Sequence, residues 1–123
     1  MSALADFRAR VEAPGGPQPP EAIALALAAA VRERCAEVGL GGAETEAWGC
    51  VVSIALSRSS VWEAVALGPD DFQFYPGRVK GTGMVQWPNV WTAEYFSLSA
   101  LIDGLAARID EVAKSAAIAE VAP

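Results

Sequence analysis

The sequence predicts an α+β domain: a two-layer sandwich whose antiparallel sheet of three to five strands is covered by two long helices, with a short N-terminal helix in front. Three observations predict it. Between Trp48 and Leu67 two apolar runs with strand-like alternation are joined by Arg58, Ser59 and Ser60, the pattern of a hairpin. An alanine-rich stretch precedes this block and another follows it. Each carries apolar residues at helical spacing, led by Ile23, Leu27 and Val31 in the first and by Leu98, Leu105 and Ile109 in the second. A lone hairpin is marginal in water, so the helices are expected to seal one of its faces.

Of the 123 residues, 53% are hydrophobic and 20% charged, which suits one core without a metal or disulfide staple and disfavours intrinsic disorder. Residues 1–13 read as a short helical arm, 14–20 as a Pro/Gly spacer and 21–123 as a single α+β domain. Much of the apolar set is alanine, which buries little area per side chain. The four Trp and four Phe therefore supply much of the expected bulk.

Taken in order, Leu4, Phe7 and Val11 give the first segment one apolar face, but at about three turns it is marginal alone and must dock. The prolines and glycines of residues 14–20 stop it. The next helix starts near Pro20 or Glu21, since proline suits the first helical position and an acid complements the exposed amides. Its stripe runs through Ile23, Leu27, Val31, Cys35 and Val38. Gly39 ends it, with Leu40 folding back toward Cys35 in a Schellman cap.

Residues 39–46 read as loop, and Trp48, Cys50, Val52, Ile54 and Leu56 as one face of the first strand. Val61, Val65 and Leu67 oppose Trp62, Ala64 and Ala66 across the second strand, and residues 68–71 (GPDD) form the turn after it. Phe72 to Tyr75 and Met84 to Trp87 are further strand candidates. The last helix begins at Thr92 or Ala93, or later with Ser97 as its cap. Gly104, unfavourable within a helix by about 1 kcal/mol, is expected to mark a close crossing with the earlier alanine-rich helix.

Nine basic residues against fifteen acidic ones give a formal charge of −6, a poor surface for a phosphate backbone or an anionic membrane. No nucleic-acid or membrane partner is expected. Asp6, Arg8, Arg10 and Glu12 interrupt any apolar signal core near the N-terminus, so the cytoplasm is the expected location. Cys35 and Cys50 are expected to be free thiols on apolar sides.

The chain has no histidine, so it contains neither the commonest general base nor a Ser-His-Asp or Cys-His arrangement of its own. No metal or other cofactor is expected, and no catalytic residue is assigned. Gly77 to Gly83 is the most anion-like stretch, with Arg78 and Lys80 as its cations. It lacks the phosphate-loop order and no helix follows it directly. Glu63, alone in an apolar strand, and Asp71 are the carboxylates a pocket between sheet and helices would use, with Arg78 as counter-ion.

Trp62, Tyr75, Trp87, Trp91 and Tyr95 are the candidate interface aromatics, since Trp and Tyr dominate protein hot spots. The resulting expectation is a non-catalytic protein-interaction domain: a chaperone, adaptor or assembly subunit acting through an apolar sheet face and an aromatic loop. It would bind protein, by self-association or in a hetero-complex. The alternative is a small isomerase, lyase or ligand-binding protein with a pocket carboxylate.

Overall fold

The computed structural model describes residues 3–17, 19–57, 60–76 and 94–121. Their order is α1 (Ala3–Glu12), α2 (Pro20–Glu37), β1 (Glu44–Trp48), β2 (Val51–Ala55), β3 (Val61–Gly68), β4 (Asp71–Pro76), β5 (Glu94–Phe96) and α3 (Leu98–Val121). The five strands form one antiparallel sheet in sequence order, β1-β2-β3-β4-β5. The predicted α+β class, with helices over an antiparallel sheet and a short N-terminal helix, is the observed one. The strand expected at Met84 to Trp87 lies outside the described residues.

The boundary of α2 follows from its sequence. Pro20 opens the helix, where its missing amide costs nothing. At the other end Gly39 sits at φ 82°, a left-handed conformation that suits glycine. The Leu40 amide donates to the Cys35 carbonyl at 2.8 Å and the Gly39 amide to the Ala36 carbonyl at 3.2 Å. These are the two bonds of a Schellman cap.

The start of the sheet departs from expectation. Trp48 to Leu56 is not one strand, because Gly49 and Cys50 form a turn between β1 and β2. Gly49 has φ 60°, as the first central residue of a type II′ hairpin turn requires. Part of the segment read as loop is therefore an edge strand. Its outward residues are Glu44, Glu46 and Trp48, and only Thr45 and the half-buried Ala47 turn inward. Two small inward residues were too faint a signal for a strand.

Register then sorts the faces. Val52 pairs with Ala64, and Ala64 with Phe74; Ala66 pairs with Phe72, and Phe72 with Phe96. All but the partly buried Phe96 are buried, and they share one core with Ile54, the stripes of α2 and α3, and Leu4, Phe7 and Val11 of α1. Helix α2 covers β1 to β3, α3 covers β4 and β5, and α1 packs on both long helices. Docking of α1 is aided by the Ala3 amide, which donates to Glu37 Oε1 at 3.1 Å.

Residues 94–96 pair with β4, which removes the earlier start of α3. The helix begins after Ser97, whose Oγ accepts from the Ala100 amide at 3.2 Å. Asp70, in the turn between β3 and β4, reaches the same terminus and accepts from the Leu98 amide at 2.8 Å. Its carboxylate thus occupies the positive end of the helix dipole.

Gly104 does not mark a crossing with α2. A Cβ there would meet only Arg108 Nη1, at 3.0 Å, so the missing side chain makes room for an arginine of the same helix. An Arg34–Asp110 ion pair of 3.2 Å spans from α2 to α3. Among the described residues no helix is long and apolar enough to cross a membrane.

Two substitutions should move stability in opposite directions. Asp70→Ala removes the acceptor at Leu98 and should cost about 1 kcal/mol. Thr45 is 4% exposed, and its buried Oγ1 has no hydrogen-bond partner among the described residues. Thr45→Val removes that hydroxyl at nearly constant shape and should gain about 1 kcal/mol. Urea midpoints measure both; a destabilised Thr45→Val would mean that the hydroxyl is satisfied in solution.

Candidate functional site

The sheet has a second face, and no described element covers it. Strand alternation and the observed register assign its residues. In one row Trp48 pairs with Val51, Val51 with Val65, and Val65 with Gln73. The next row runs from Glu46 through Ser53 to Glu63, and a third joins Glu44, Ala55 and Val61. Val51, Ser53, Ala55, Val61, Glu63, Val65 and Gln73 are all half-buried.

Two large apolar side chains stand out at one end of this face. Trp48, 67% exposed, closes the β1–β2 turn. Leu67 is 44% exposed where the β3–β4 register slips between Ala66 and Gly68. A bulge of that kind breaks the strict alternation of a strand. Trp48 was expected to share a face with Val52 and Ile54; the turn at Gly49 puts it on the opposite one.

Trp62 belongs to the other side. It pairs with Ile54, lies half-buried against the core, and has the Arg108 guanidinium 5.7 Å from its ring centre. It is therefore withdrawn from the interface candidates on the open face. The same guanidinium stands 4.8 Å from the Phe74 ring, and Arg108 Nη1 donates to the Gly104 carbonyl at 3.0 Å. A cation held over two aromatic faces gains quadrupole attraction where water is partly excluded. The sequence signal was the Gly104–Arg108 spacing of one helical turn beneath an aromatic strand, which periodicity alone does not pick out.

The pocket expected between sheet and helices does not gather its carboxylates. Glu63 pairs with Ser53 and Tyr75 on the open face, turned away from α2 and α3 by the same alternation that buries Ala64. Asp71 is exposed at the start of β4. Arg78 and Lys80 lie outside the described residues, as do Trp87 and Trp91. A shallow depression on α3 is lined by Ala107, Asp110, Glu111, Ala113 and Lys114. One helix supplies all five, so no described second element closes it. No group of three or more His, Cys, Asp or Glu residues suited to a metal ion occurs among the described residues.

Both cysteines are free, but their settings differ. Cys35 is buried in the α2 stripe, and burial pushes its thiol up, with the Arg34 charge opposing in part. Cys50 is half-buried in the β1–β2 turn rather than on an apolar strand face. A raised pKa lowers the thiolate fraction at neutral pH. A maleimide should therefore modify Cys50 first and Cys35 only on unfolding, read by mass spectrometry of the labelled peptides. Comparison with known proteins yields no relative: no family model, curated protein or solved structure matches this chain.

Proposed function

We propose that the protein is a non-catalytic interaction module, an adaptor, chaperone or assembly subunit that docks a protein partner on the open face of its sheet. The observation that carries this reading is the one-sided arrangement of the helices. Helices α2 and α3 lie over Val52, Ile54, Ala64, Phe72 and Phe74, with α1 packed on both, whereas Val51, Val61, Val65 and Trp48 lie on the face that no described element covers. Trp48, Val51 and Val65 form an apolar row beside the polar row of Glu46, Ser53 and Glu63, and exposed apolar side chains next to polar groups are what protein-binding sites present. The absence of histidine from the chain lowers the prospect of general acid-base chemistry without excluding it.

Magnitudes constrain the kind of docking. Four strand spacings of about 4.8 Å and five residues at about 3.4 Å give a face of roughly 19 by 17 Å. Stable partners typically bury about 800 Å² each, so this face alone suits a transient contact with one or two dominant anchors. Trp48 is the foremost anchor, since its indole is largely exposed at the rim. Trp87, Trp91, Tyr75 and Tyr95 enter the proposal from their residue type and place in the chain. The isomerase or lyase alternative has no specific support once Glu63 is placed on the face away from the helices.

Val65→Glu puts a charge at the centre of the face with little change in the core. Its stability should fall by less than about 1 kcal/mol, while association with partners should be lost. Trp48→Ala should weaken association by about 2 kcal/mol, roughly thirtyfold. Quantitative co-purification from host lysate, paired with urea unfolding, separates the two effects. Partners retained equally by wild type and Val65→Glu would remove the open face from the mechanism.

A further inference from the structure

The outer edge of β1 offers a docking chemistry of its own. We infer that it takes up an extended segment of a partner protein as an added strand, hydrogen-bonded to the backbone of Thr45 and Ala47. This surface extends the docking role proposed above and works without the open face.

Hydrogen-bond phase identifies the groups involved. The Ala66 amide donates to the Cys50 carbonyl at 2.8 Å, and the Leu56 amide to the Ser60 carbonyl at 2.9 Å. Successive residues of an antiparallel strand turn their backbone groups toward alternate neighbours. Cys50, Val52, Ile54 and Leu56 therefore bond toward β3. Val51, Ser53 and Ala55 bond the other way, to their pairs Trp48, Glu46 and Glu44. Thr45 and Ala47 are left with amide and carbonyl both directed away from β2. β1 ends the sheet on that side, and among the described residues no other backbone hydrogen bond reaches it.

An open edge of this kind is a template for another strand. Lysine, proline or a bulge commonly blunts such edges, but β1 reads Glu-Thr-Glu-Ala-Trp and keeps register with β2 over all five pairs. The opposite edge, β5, is only three residues long. Thr45 and Ala47 stand about 7 Å apart, each with a donor and an acceptor, and an extended backbone repeats at that interval.

A second copy is the poorer occupant. The symmetric antiparallel pairing that joins Thr45 to Ala47 of the other copy sets Glu46 against its own counterpart. That pair is the close, non-hydrogen-bonded kind, with Cα atoms about 4.5 Å apart, where like charges are destabilising. A partner segment without an acid at that position avoids the conflict. On the open side, a β-branched residue of the added strand would lie beside the Trp48 indole, which is 67% exposed, and such cross-strand pairs stabilise a sheet. Main-chain bonds thus supply affinity, and the neighbour of Trp48 supplies selectivity.

The probe is an uncharged peptide of alternating Val and Thr, added at millimolar concentration to the full chain and followed by amide hydrogen exchange in NMR spectra. In the free chain the Thr45 and Ala47 amides should exchange at least about tenfold faster than those of Glu46 and Trp48. The peptide should slow Thr45 and Ala47 at least about threefold. Its counterpart with two adjacent N-methylated residues should slow neither. Ala47→Pro removes one outward donor and leaves the ladder to β2 intact, so its urea midpoint should stay near that of wild type while the protection of Thr45 is lost. Val65→Glu should keep the peptide effect. The N-methyl comparison uses the wild-type chain and so decides the matter even where Ala47→Pro lowers stability. Slow exchange of Thr45 and Ala47 in the free chain would overturn the inference, whether a second copy or another part of the chain holds the edge. A peptide that slows neither amide, or an N-methylated one that slows both equally, would overturn it too. Protection lost in Val65→Glu but kept in Ala47→Pro would return docking to the open face alone.

Discussion

Strand register is the constraint on which the rest of this molecule depends. Side chains alternate along a strand with period two, so a slip of one residue exchanges the faces. In the observed pairing Val52, Ile54, Ala64, Phe72 and Phe74 meet the helices. One step out of phase, Ser53, Glu63 and Gln73 would enter that layer and the aliphatic and aromatic bulk would face water. Burying one such apolar side chain is worth about 1.5–3 kcal/mol, and losing several would exceed the usual stability margin of a small domain. The Gly49–Cys50 turn, the bulge around Leu67 and the Phe pairs between β4 and β5 are the local devices that hold the phase.

Much of the architecture was legible because it rests on short-range rules. Proline at the start of α2 and glycine after its end specify that helix within a residue or two. The β2–β3 hairpin declares itself by alternation. What escaped prediction involves partners distant in sequence or very small side chains. An edge strand with Thr45 and Ala47 inward has too little apolar contrast to separate from loop. Trp48 was read as continuing the alternation of Val52 and Ile54, although the glycine after it allowed a two-residue turn. Gly104 was expected to admit a neighbouring helix and instead admits its own helix's Arg108.

The candidate site was legible in a different measure. Alternation set Val61 and Val65 against Trp62 and Ala64, and register joined Val51, Ser53 and Ala55 to the first pair's face. Aromatic content pointed to anchors, but residue type alone does not assign a tryptophan to core or surface. Trp62 lies half-buried beneath Arg108, while Trp48 projects from the opposite side. That sorting needed pairing partners. Glu63 changes meaning for the same reason: its face, and not its isolation among apolar neighbours, takes it away from a pocket between sheet and helices.

Asp70 has a consequence beyond ending a helix neatly. Its carboxylate belongs to a hairpin turn, yet it holds an amide 28 residues further along the chain. The first turn of α3 is thereby fastened to the sheet's own connection, so opening the hairpin loosens the helix and fraying the helix strips the turn of its clamp. A domain tied in this way tends to melt as one unit, leaving no half-folded form in which the sheet survives after its helical roof has lifted.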